Sequence, residues 1–488
     1  MRLNKLIEGA PKIEIETLFV DSRQKVSKGM FFCLKGMMND GHKYVTQAIK
    51  NGAVCIVYAD ELEDYEDNIT YIKVEDVHKT LVDVTHRFYD FCTEKMKVFG
   101  VTGTNGKSSI SLTIKNILNL YEPCGYIGTI GVEFANYKIE MPNTTNDILT
   151  TMKLMNDMYE GGAKAVSMEV SSHGIEQHRV DGIDFDYCIF TNLTHEHLDY
   201  HGTMENYFEA KAKLFTNLDP SKTAIINVDD PYGRRLVHMT NARVVTYGLK
   251  EQADYVASNL QLYKDHSSFT LKYRGYEYKV ETNLVARFNV SNLLAVIAAL
   301  NEYGLDFESF LPHLKNIPQI DGRVEIINEG QPYNVIVDFS HTPDGFEKIC
   351  EYARTITPRD KKIISLTGSA GKRDVTKRPM MGEVLDRYSQ LIILTEDDPR
   401  NESVTEIARQ IAAGIKEHNY LIIEDRYDAI RQAIELADSG DTVLLLGKGD
   451  DDFMYREFGS EPYQGDVNIA KECIRLYGVQ EGEEEPEM

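Results

Sequence analysis

The sequence predicts an α/β protein of three domains: a small N-terminal α/β domain, a central domain with a phosphate-loop motif on a mostly parallel sheet, and a C-terminal doubly wound α/β domain. Three observations support this fold class. The chain has 488 residues, more than one domain usually holds. Short strand-like runs alternate with stretches of helical periodicity, as in parallel sheets with crossover helices. A glycine-rich turn joins one such strand to one such helix.

Composition limits the classes of partner. The formal charge of −24 at pH 7 argues against nucleic acid and anionic membranes, but not against a small anionic substrate in a local basic pocket. No apolar run approaches the roughly 20 residues of a membrane span, and the N-terminus lacks the apolar core of a signal peptide. Seven scattered cysteines, without a C-x-x-C pair, indicate reduced thiols. We therefore expect a cytoplasmic monomer whose partners are small molecules.

The first predicted domain is built from short elements. Strand-like runs at residues 30–36 and 52–59 flank a helix-like stretch at 41–52. Apolar residues recur at helical spacing over 74–92, so we expect this stretch to close the domain. The predicted domains are residues 1–95, 96–320 and 321–488, the last ending in a solvated acidic tail from about residue 480.

The second predicted domain opens on the stretch FGVTGTNGKSSI. A strand, a glycine-rich turn and a helix present backbone N–H groups to an anion at the positive end of the helix dipole. Gly103 and Gly106 would let the backbone approach phosphates, Lys107 would reach the outer phosphates, and Ser108 could ligate Mg²⁺. The strict phosphate-loop pattern has glycine where this chain has Val101, but the lysine and serine after Gly106 still favour a nucleotide over a plain turn.

Polar side chains follow the next two strand-like runs of this domain. Glu169 ends the first, where a carboxylate is a hard oxygen donor suited to Mg²⁺. The second is followed by His195, His197 and His201, for which a zinc site or a satisfied polar loop is the alternative. Zinc is disfavoured because no cysteine lies nearby and the neighbours are carboxylates and hydroxyls.

The third predicted domain contains five apolar runs with helix-like stretches between most of them. Ligands of doubly wound sheets bind at the loops that follow the strands, so the polar residues after each run are candidates for a site. The runs are YNVIVDFS, KKIISLTG, QLIILTED, NYLIIED and DTVLLLG.

Several of these stretches resemble the Mur ligase family. The loop TGTNGKS, the stretches SMEVSSHGIEQHRV and FTNLTHEHLDYHGTMENYFEAKAKLF, and shorter blocks match family motifs in order along nearly the whole chain. The shorter blocks are VDSRQ, NTTND, RFNVSN, DGRVE and DFSHTPDG. The resemblance is strongest to the Mur ligases that add the third amino acid of the peptidoglycan stem peptide, which implies an ATP-dependent amide ligase.

The resemblance also implies roles for individual residues. ATP would be bound by Gly103, Thr104, Asn105, Gly106, Lys107, Ser108, Asn289, Asn292, Arg323, Asp338 and His341. The UDP-muramoyl dipeptide would contact Ser22, Arg23, Thr144, Thr145, Ser171, Gln177 and Arg179. Mg²⁺ would be held by Ser108, Glu169, His197 and Lys211, the last as a carbamate, and the catalytic set would be Lys107, Glu169, His197 and Lys211.

The incoming amino acid would be chosen by the third domain. In the family, a D-N-P-R motif offers an arginine to the distal carboxylate of meso-2,6-diaminopimelate; here the motif keeps Arg400 but has Asp398 in place of asparagine. Because a guanidinium binds a carboxylate bidentately and would oppose the bare ammonium of lysine, diaminopimelate is favoured over L-lysine. The predicted amino-acid site is Arg373, Asp398, Arg400, Gly447 and Asp451, with Asp451 receiving the distal ammonium.

The implied reaction is the transfer of the ATP γ-phosphoryl group to the D-glutamate carboxylate of UDP-N-acetylmuramoyl-L-alanyl-D-glutamate. The amine of the third amino acid would then attack the acyl phosphate. The alternatives are the same reaction with L-lysine, a Mur-like amide ligase of secondary metabolism, and a phosphate-loop binding protein without catalysis.

Overall fold

The computed structural model describes residues 1–36, 39–250, 252–417 and 419–478. The predicted acidic tail lies outside the described residues. Two compact units are present: unit 1 comprises Met1–Val101 and Leu118–Cys188, and unit 2 comprises Thr102–Ile117 and Ile189–Met488. Among the described residues, none of the helices combines the length and the apolar character needed to cross a bilayer.

The first part of the chain forms strands and helices at the four predicted stretches, together with α1, β1 and β4, which the sequence analysis did not predict. The strands are β1 (Thr17–Phe19), β2 (Gly29–Phe32), β3 (Ala53–Tyr58) and β4 (Thr70–Lys73). The helices are α1 (Leu3–Leu6), α2 (Val45–Lys50), α3 (Val77–Phe88) and the 3₁₀ helices Gly41–Tyr44 and Cys92–Lys95.

The central part alternates strands and helices up to β12, apart from the antiparallel run β6 to β8, and then forms a second meander. The strands are β5 (Lys97–Thr102), β6 (Cys124–Gly128), β7 (Gly131–Phe134), β8 (Tyr137–Ile139), β9 (Ala165–Glu169), β10 (Tyr187–Phe190), β11 (Thr223–Asn227), β12 (Arg243–Gly248), β13 (Tyr255–Leu262), β14 (Ser267–Tyr273) and β15 (Tyr276–Thr282). The helices are α4 (Lys107–Leu118), α5 (Ile148–Glu160), α6 (Ser172–Glu176), α7 (Leu198–His201), α8 (Met204–Thr216), α9 (Pro231–Leu236), α10 (Arg287–Tyr303), α11 (Phe307–Phe310) and the 3₁₀ helix Leu311–Asn316.

The last part contains the five predicted strands, one further strand (β16) and a β-hairpin (β22 and β23). The strands are β16 (Glu325–Ile327), β17 (Asn334–Asp338), β18 (Ile363–Thr367), β19 (Leu391–Leu394), β20 (Tyr420–Ile422), β21 (Thr442–Leu446), β22 (Phe453–Arg456) and β23 (Gly459–Pro462). The helices are α12 (Pro343–Ile356), α13 (Lys377–Tyr388), α14 (Val404–Ala412), α15 (Arg426–Glu435) and α16 (Asp466–Tyr477).

Unit 1 contains two groups of paired strands. Strands β1 to β4 form a fully parallel sheet in chain order. In the second group β9 pairs in parallel with both β5 and β6, and β7 and β8 continue from β6 as an antiparallel meander. The predicted parallel arrangement is therefore confirmed for the strands that precede the polar residues, with an antiparallel edge.

Unit 2 begins its sheet in parallel and ends it in antiparallel fashion. Strands β11, β12 and β13 are parallel, whereas β13, β14 and β15 form an antiparallel meander that the sequence prediction did not include. Residues Arg274 and Gly275 turn the last hairpin with φ of +49° and +85°. A two-residue turn with positive φ is typical of tight β-hairpins, so this turn was a readable signal.

The C-terminal sheet is doubly wound, as predicted. Its order is β16-β17-β21-β18-β19-β20, and β17 to β21 pair in parallel. Helices α12, α13 and α14 contribute to one hydrophobic core, and α15 and α16 to a second core with the alternate residues of the same strands. The fold class predicted from the sequence is confirmed.

A buried ion pair joins the N-termini of the two helices on one face of this sheet. Arg426 and Asp466 are fully buried and make two hydrogen bonds of 2.8 and 2.6 Å. The guanidinium also donates to the carbonyls of Glu396 and Leu446, which follow or end β19 and β21. This contact fixes the strand ends from which the site loops depart.

Removing one member of this pair is expected to destabilise the C-terminal core. Asp466→Ala leaves the Arg426 charge buried and unpaired, at a cost of about 3–5 kcal/mol of unfolding free energy. Asp428→Ala, which removes an exposed partner of Arg431 on the same helix, is the matched control and should change little. Urea unfolding measures both; equal losses would contradict the role of the buried pair.

Candidate active site

A glycine-rich loop joins β5 to α4. The two glycines that the sequence singled out have left-handed backbone angles, φ +150° at Gly103 and +92° at Gly106. A β-carbon at Gly103 would collide with Thr191 and Asn192, and one at Gly106 would lie 2.5 Å from Asn292 Oδ1. Glycine is therefore required at both positions, because the loop is tightly wound and closely packed.

The residues that follow β10 hold this loop in shape. The Asn192 carbonyl accepts from the Thr104 amide at 2.9 Å, and its side-chain oxygen accepts from the Asn105 amide at 3.0 Å. The Thr191 hydroxyl donates to the Asn105 carbonyl at 2.7 Å. Sequence reasoning did not select Thr191 or Asn192, although they directly follow a predicted strand beside the histidine cluster.

Two predicted lysines meet at the same carbonyl of the loop. Lys107 donates to the carbonyls of Gly103 and Thr104 at 3.0 and 2.8 Å. Lys211, on α8, is 1% exposed and donates to the Gly103 carbonyl at 2.9 Å. Burial, and then the charge of Lys107, lower the pKa of Lys211 well below its usual range. The structure therefore places a buried lysine, whose charged form is disfavoured, at the phosphate loop.

The other two predicted metal ligands of unit 2 lie next to helix starts. Ser108 is the second residue of α4 and is buried. His197 precedes α7 with φ +55°, a backbone angle that is uncommon outside glycine and recurs at functional sites. The His197 ring packs edge-on to Tyr207, whose hydroxyl lies 3.2 Å from Thr104 Oγ1.

A carboxylate that sequence reasoning missed lies between the histidines. Glu196 is buried, 2.7 Å from His341 Nε2, 3.7 Å from His197 Nε2 and 3.9 Å from Lys377 Nζ. Burial opposes its ionisation, but His197, His341 and Lys377 together hold the pKa of Glu196 well below its usual range. The only local signal was an acid flanked by two histidines.

Three polar contacts link the central loops of unit 2 to its C-terminal part. Asn105 Nδ2 donates to Asp344 at 3.0 Å, and the His341–Glu196 bond is a second link. His195 Nε2 lies 3.1 Å from both Asp374 and Thr376. Two predicted ATP ligands thus make contacts between distant parts of the sequence: Asn105, in the phosphate loop, and His341, after β17.

A cleft is lined by two of the remaining predicted ATP ligands, Asn289 and Arg323. Its lining includes Ser109, Asn289 and Arg323. Arg323 Nε is buried without a hydrogen-bond partner, and its guanidinium lies 4.3 Å from the Phe339 ring. An unsatisfied buried donor on a cleft wall is a group that a ligand can satisfy. Asp338 instead accepts from the backbone amides of residues 324 and 340, so it shapes the two turns.

In unit 1, the residues predicted to contact the muramoyl dipeptide form a connected network. Arg179 donates to the Thr145 carbonyl at 2.7 Å and to Gln177 at 2.6 Å. The Ser171 amide donates to Thr145 Oγ1, and Ser171 Oγ caps α6. Thr144 Oγ1 lies 3.0 Å from the Thr129 hydroxyl. The structure therefore brings these five residues together.

The other unit 1 predictions lie in two different surroundings. Glu169 is fully buried, and its oxygens accept from the Tyr126 hydroxyl and from the amide and hydroxyl of Thr129. Ser22 is buried and its carbonyl accepts from an asparagine, whereas the exposed Arg23 pairs with Asp21. Among the described residues, the hydrogen bonds and ion pairs of Ser22 and Arg23 are with other partners than the network around Thr145.

The predicted amino-acid site contains a buried cation that the sequence did not single out. Lys448 is almost fully buried and lies 2.9 Å from Asp398 Oδ1 and 3.0 Å from Asp451 Oδ2. Its amine also donates to the Phe453 carbonyl. The two predicted acidic residues of this site, Asp398 and Asp451, are therefore partners of one lysine.

The arginines of this site differ in their surroundings. Arg400 is half-buried, has φ +51°, and its guanidinium donates to the Gly371 carbonyl and lies 5.9 Å from the Tyr455 ring. Arg373 is exposed. Gly447 has φ +112°, and a β-carbon there would lie 2.5 Å from Asp397. Glycine is thus required beside the strand end, and Arg400 has a constrained backbone.

Sequence comparisons identify related proteins across most of the chain. Residues 14–89 match the model "Mur ligase family, catalytic domain", 101–300 "Mur ligase middle domain" and 322–449 "Mur ligase, glutamate ligase domain". A UDP-N-acetylmuramoyl-L-alanyl-D-glutamate–2,6-diaminopimelate ligase of Clostridium acetobutylicum is 40% identical, with 92% of each chain covered. A protein of the same name from Halalkalibacterium halodurans is 37% identical over 96% of each chain.

Solved structures give the same result for the fold. A structure described as UDP-N-acetylmuramoyl-L-alanyl-D-glutamate–2,6-diaminopimelate ligase matches with a TM-score of 0.69 and 28% identity. The match covers 97% of this chain and 99% of that one.

The close packing of the phosphate loop predicts a selective effect of one substitution. Gly106→Ala must adopt φ +92° and displace Asn292, so we expect nucleotide binding to weaken about tenfold or more. Gly304→Ala has a similarly positive φ, +117°, at the end of α10 but meets nothing within 4 Å, so it controls for backbone strain alone. Calorimetric titration with ADP measures both. Equal weakening in the two variants would show that the packing against Asn292 is unimportant.

Proposed function

The chain belongs to the Mur ligase family, and we propose that it joins meso-2,6-diaminopimelate to the D-glutamate of UDP-N-acetylmuramoyl-L-alanyl-D-glutamate with the hydrolysis of ATP to ADP. The names of its curated relatives support this substrate set. The observation that carries the chemistry is the buried Lys211 amine, 2.9 Å from the carbonyl of Gly103 in the phosphate loop.

The phosphate loop supplies the first half of the reaction. Its amides, Lys107 and Ser108 bind the phosphates of ATP and orient the γ-phosphoryl group toward the D-glutamate carboxylate. A carboxylate oxygen displaces ADP and forms an acyl phosphate. The amine of the third amino acid then attacks the carbonyl carbon, and the tetrahedral intermediate collapses to an amide and inorganic phosphate. The contribution of Lys107 is charge neutralisation rather than covalent chemistry.

Three side chains of unit 2 are the proposed ligands of Mg²⁺, two of them oxygen donors and one an imidazole. The Ser108 hydroxyl, the carbamate of Lys211 and the His197 ring would hold the ion, and Glu169 in unit 1 stays a prediction from the sequence. When bound, Mg²⁺ offsets phosphate charge during phosphoryl transfer. Carbamylation of Lys211 is supported by its burial and lowered pKa, since only a neutral amine captures CO₂.

Recognition of the distal carboxylate of diaminopimelate is assigned to Arg400. Its guanidinium is half-buried, held by the Gly371 carbonyl and flanked by Tyr455. The fixed planar guanidinium is suited to a carboxylate and unsuited to the ammonium of L-lysine. Addition of L-lysine is therefore the second candidate reaction. Asp451, paired with Lys448 but still 41% exposed, can accept from the amino acid's distal ammonium.

The choice between diaminopimelate and lysine is tested by ADP release with the UDP-muramoyl dipeptide present. We expect kcat/KM to be far higher with diaminopimelate. In Arg400→Lys the diaminopimelate value should fall about 10- to 100-fold, because a hydrogen bond to a charged group contributes ~1.5–3 kcal/mol. Arg409→Lys, on the exposed face of α14, is the control. A parallel loss with both amino acids would place Arg400 outside the selecting contacts, and no ADP release with either would remove the ligase assignment.

The carbamate is tested by ¹³C NMR in labelled bicarbonate. Wild type should give one carbamate signal that disappears in Lys211→Arg, with turnover lowered by about 100-fold or more because the metal loses a ligand. Lys213→Arg, an exposed lysine of the same helix, should keep both the signal and the turnover. A signal that survives in Lys211→Arg would show that another amine is modified.

A further inference from the structure

A cluster of metal-ligating side chains in unit 1 has no place in the ligase reaction. His78 lies in the first turn of α3, and His178 and Asp181 lie in the loop after α6. One donor atom from each residue lies within 4.8 Å of the other two. Two imidazoles and a carboxylate are a donor set found in zinc proteins, and imidazole favours transition metals over Mg²⁺.

The observed distances suit a tetrahedral ion. His178 Nδ1 lies 2.9 Å from Asp181 Oδ2, and His78 Nε2 lies 3.6 Å from the same oxygen. Metal–ligand bonds of roughly 2.0–2.2 Å in tetrahedral geometry separate neighbouring donors by about 3.4 Å. The two distances bracket this value, so small side-chain adjustments bring all three atoms to one ion. The fourth position would face solvent, because the His178 side chain is exposed and that of Asp181 is partly exposed.

The hydrogen bonding of His78 Nε2 distinguishes this cluster from a second group of possible metal ligands in unit 1. His78 Nε2 is buried and has no hydrogen-bond partner, which is costly unless a ligand satisfies it. In the group Asp40, His42 and Asp60, by contrast, His42 Nδ1 bonds Asp40 and its Nε2 accepts from two backbone amides. The second histidine therefore has both nitrogens engaged, whereas His78 offers a lone pair.

The backbone around the first cluster holds the donors in place. His178 adopts φ +57°, in the sparsely populated left-handed region, and its ring lies 4.8 Å from the His78 ring. Gly182, next to Asp181, packs against His86 on the same helix as His78, and a β-carbon there would lie 2.5 Å from His86 Nε2.

We propose that His78, His178 and Asp181 form a binding site for a borderline transition-metal cation, with Zn²⁺ as the preferred ion. The bound ion ties α3 to the loop that carries Gln177 and Arg179. Its role is therefore to hold this loop, and it takes no part in phosphoryl transfer. The proposal stands independently of the ligase assignment, because its test is metal binding itself.

The test is a calorimetric titration of the full chain with Zn²⁺, after chelator treatment and with Mg²⁺ in large excess to occupy magnesium sites. Wild type should bind one tight equivalent. In His78→Gln and Asp181→Asn that equivalent should weaken at least on the order of 10- to 100-fold, the loss that removal of even an outer-shell partner causes. His266→Gln removes an exposed histidine paired only with a neighbouring aspartate and should bind as wild type does.

Cobalt substitution gives a second reading that does not depend on affinity alone. Co²⁺ bound to the three residues should give visible absorption bands of low coordination number in wild type and in His266→Gln, and these should be lost in His78→Gln. Circular dichroism establishes that each variant is folded. The proposal is overturned if folded His78→Gln and Asp181→Asn bind Zn²⁺ with wild-type affinity and stoichiometry, or if wild type binds none.

Discussion

The hydrogen bond between the Lys211 amine and the Gly103 carbonyl is the constraint on which the site in unit 2 depends. A lysine that is 1% exposed and close to a second lysine cannot carry its charge at ordinary cost. Burial thus favours the neutral form of this amine, which donates to a carbonyl that only glycine can bring so close to Thr191. The conformation of the loop, the position of helix α8 and the charge of the Lys211 amine consequently depend on one another.

The phosphate loop and the loop after β10 also make the polar contacts that bring residues of the C-terminal part of unit 2 to the site. Asn105 reaches Asp344, and Glu196 gathers His197, His341 and Lys377 around one buried carboxylate. A buried carboxylate is stable only when cations surround it. Removing one of these cations therefore weakens the electrostatic stabilisation of Glu196 and changes its interaction with the others. The Glu196 cluster thus makes the loop after β10 and the turn after β17 a single electrostatic unit.

Local patterns in the sequence were sufficient for the fold class and the phosphate loop, but not for the β13–β15 meander. Apolar runs such as the one in β21 predict strands because both faces of a doubly wound sheet are buried. Glu196 and Lys448 were missed because their partners are distant in sequence, and a lone charged residue is usually solvated. The left-handed backbone at Asp398 and Arg400 could not be predicted either, since neither residue type signals a positive φ as glycine does.

The departures from the family's diaminopimelate motif have a physical explanation in Lys448. Asp398 adds a negative charge where the family has asparagine, which alone would favour a cationic amino acid such as lysine. That charge faces the buried Lys448 amine at 2.9 Å, and the same oxygen accepts from the Tyr455 amide. Lys448 is shared with Asp451 and offsets only part of the two negative charges, but it holds the Asp398 carboxylate in a contact within the protein. The guanidinium therefore remains the group that can distinguish a distal carboxylate, and the substitution leaves the expected preference for diaminopimelate intact.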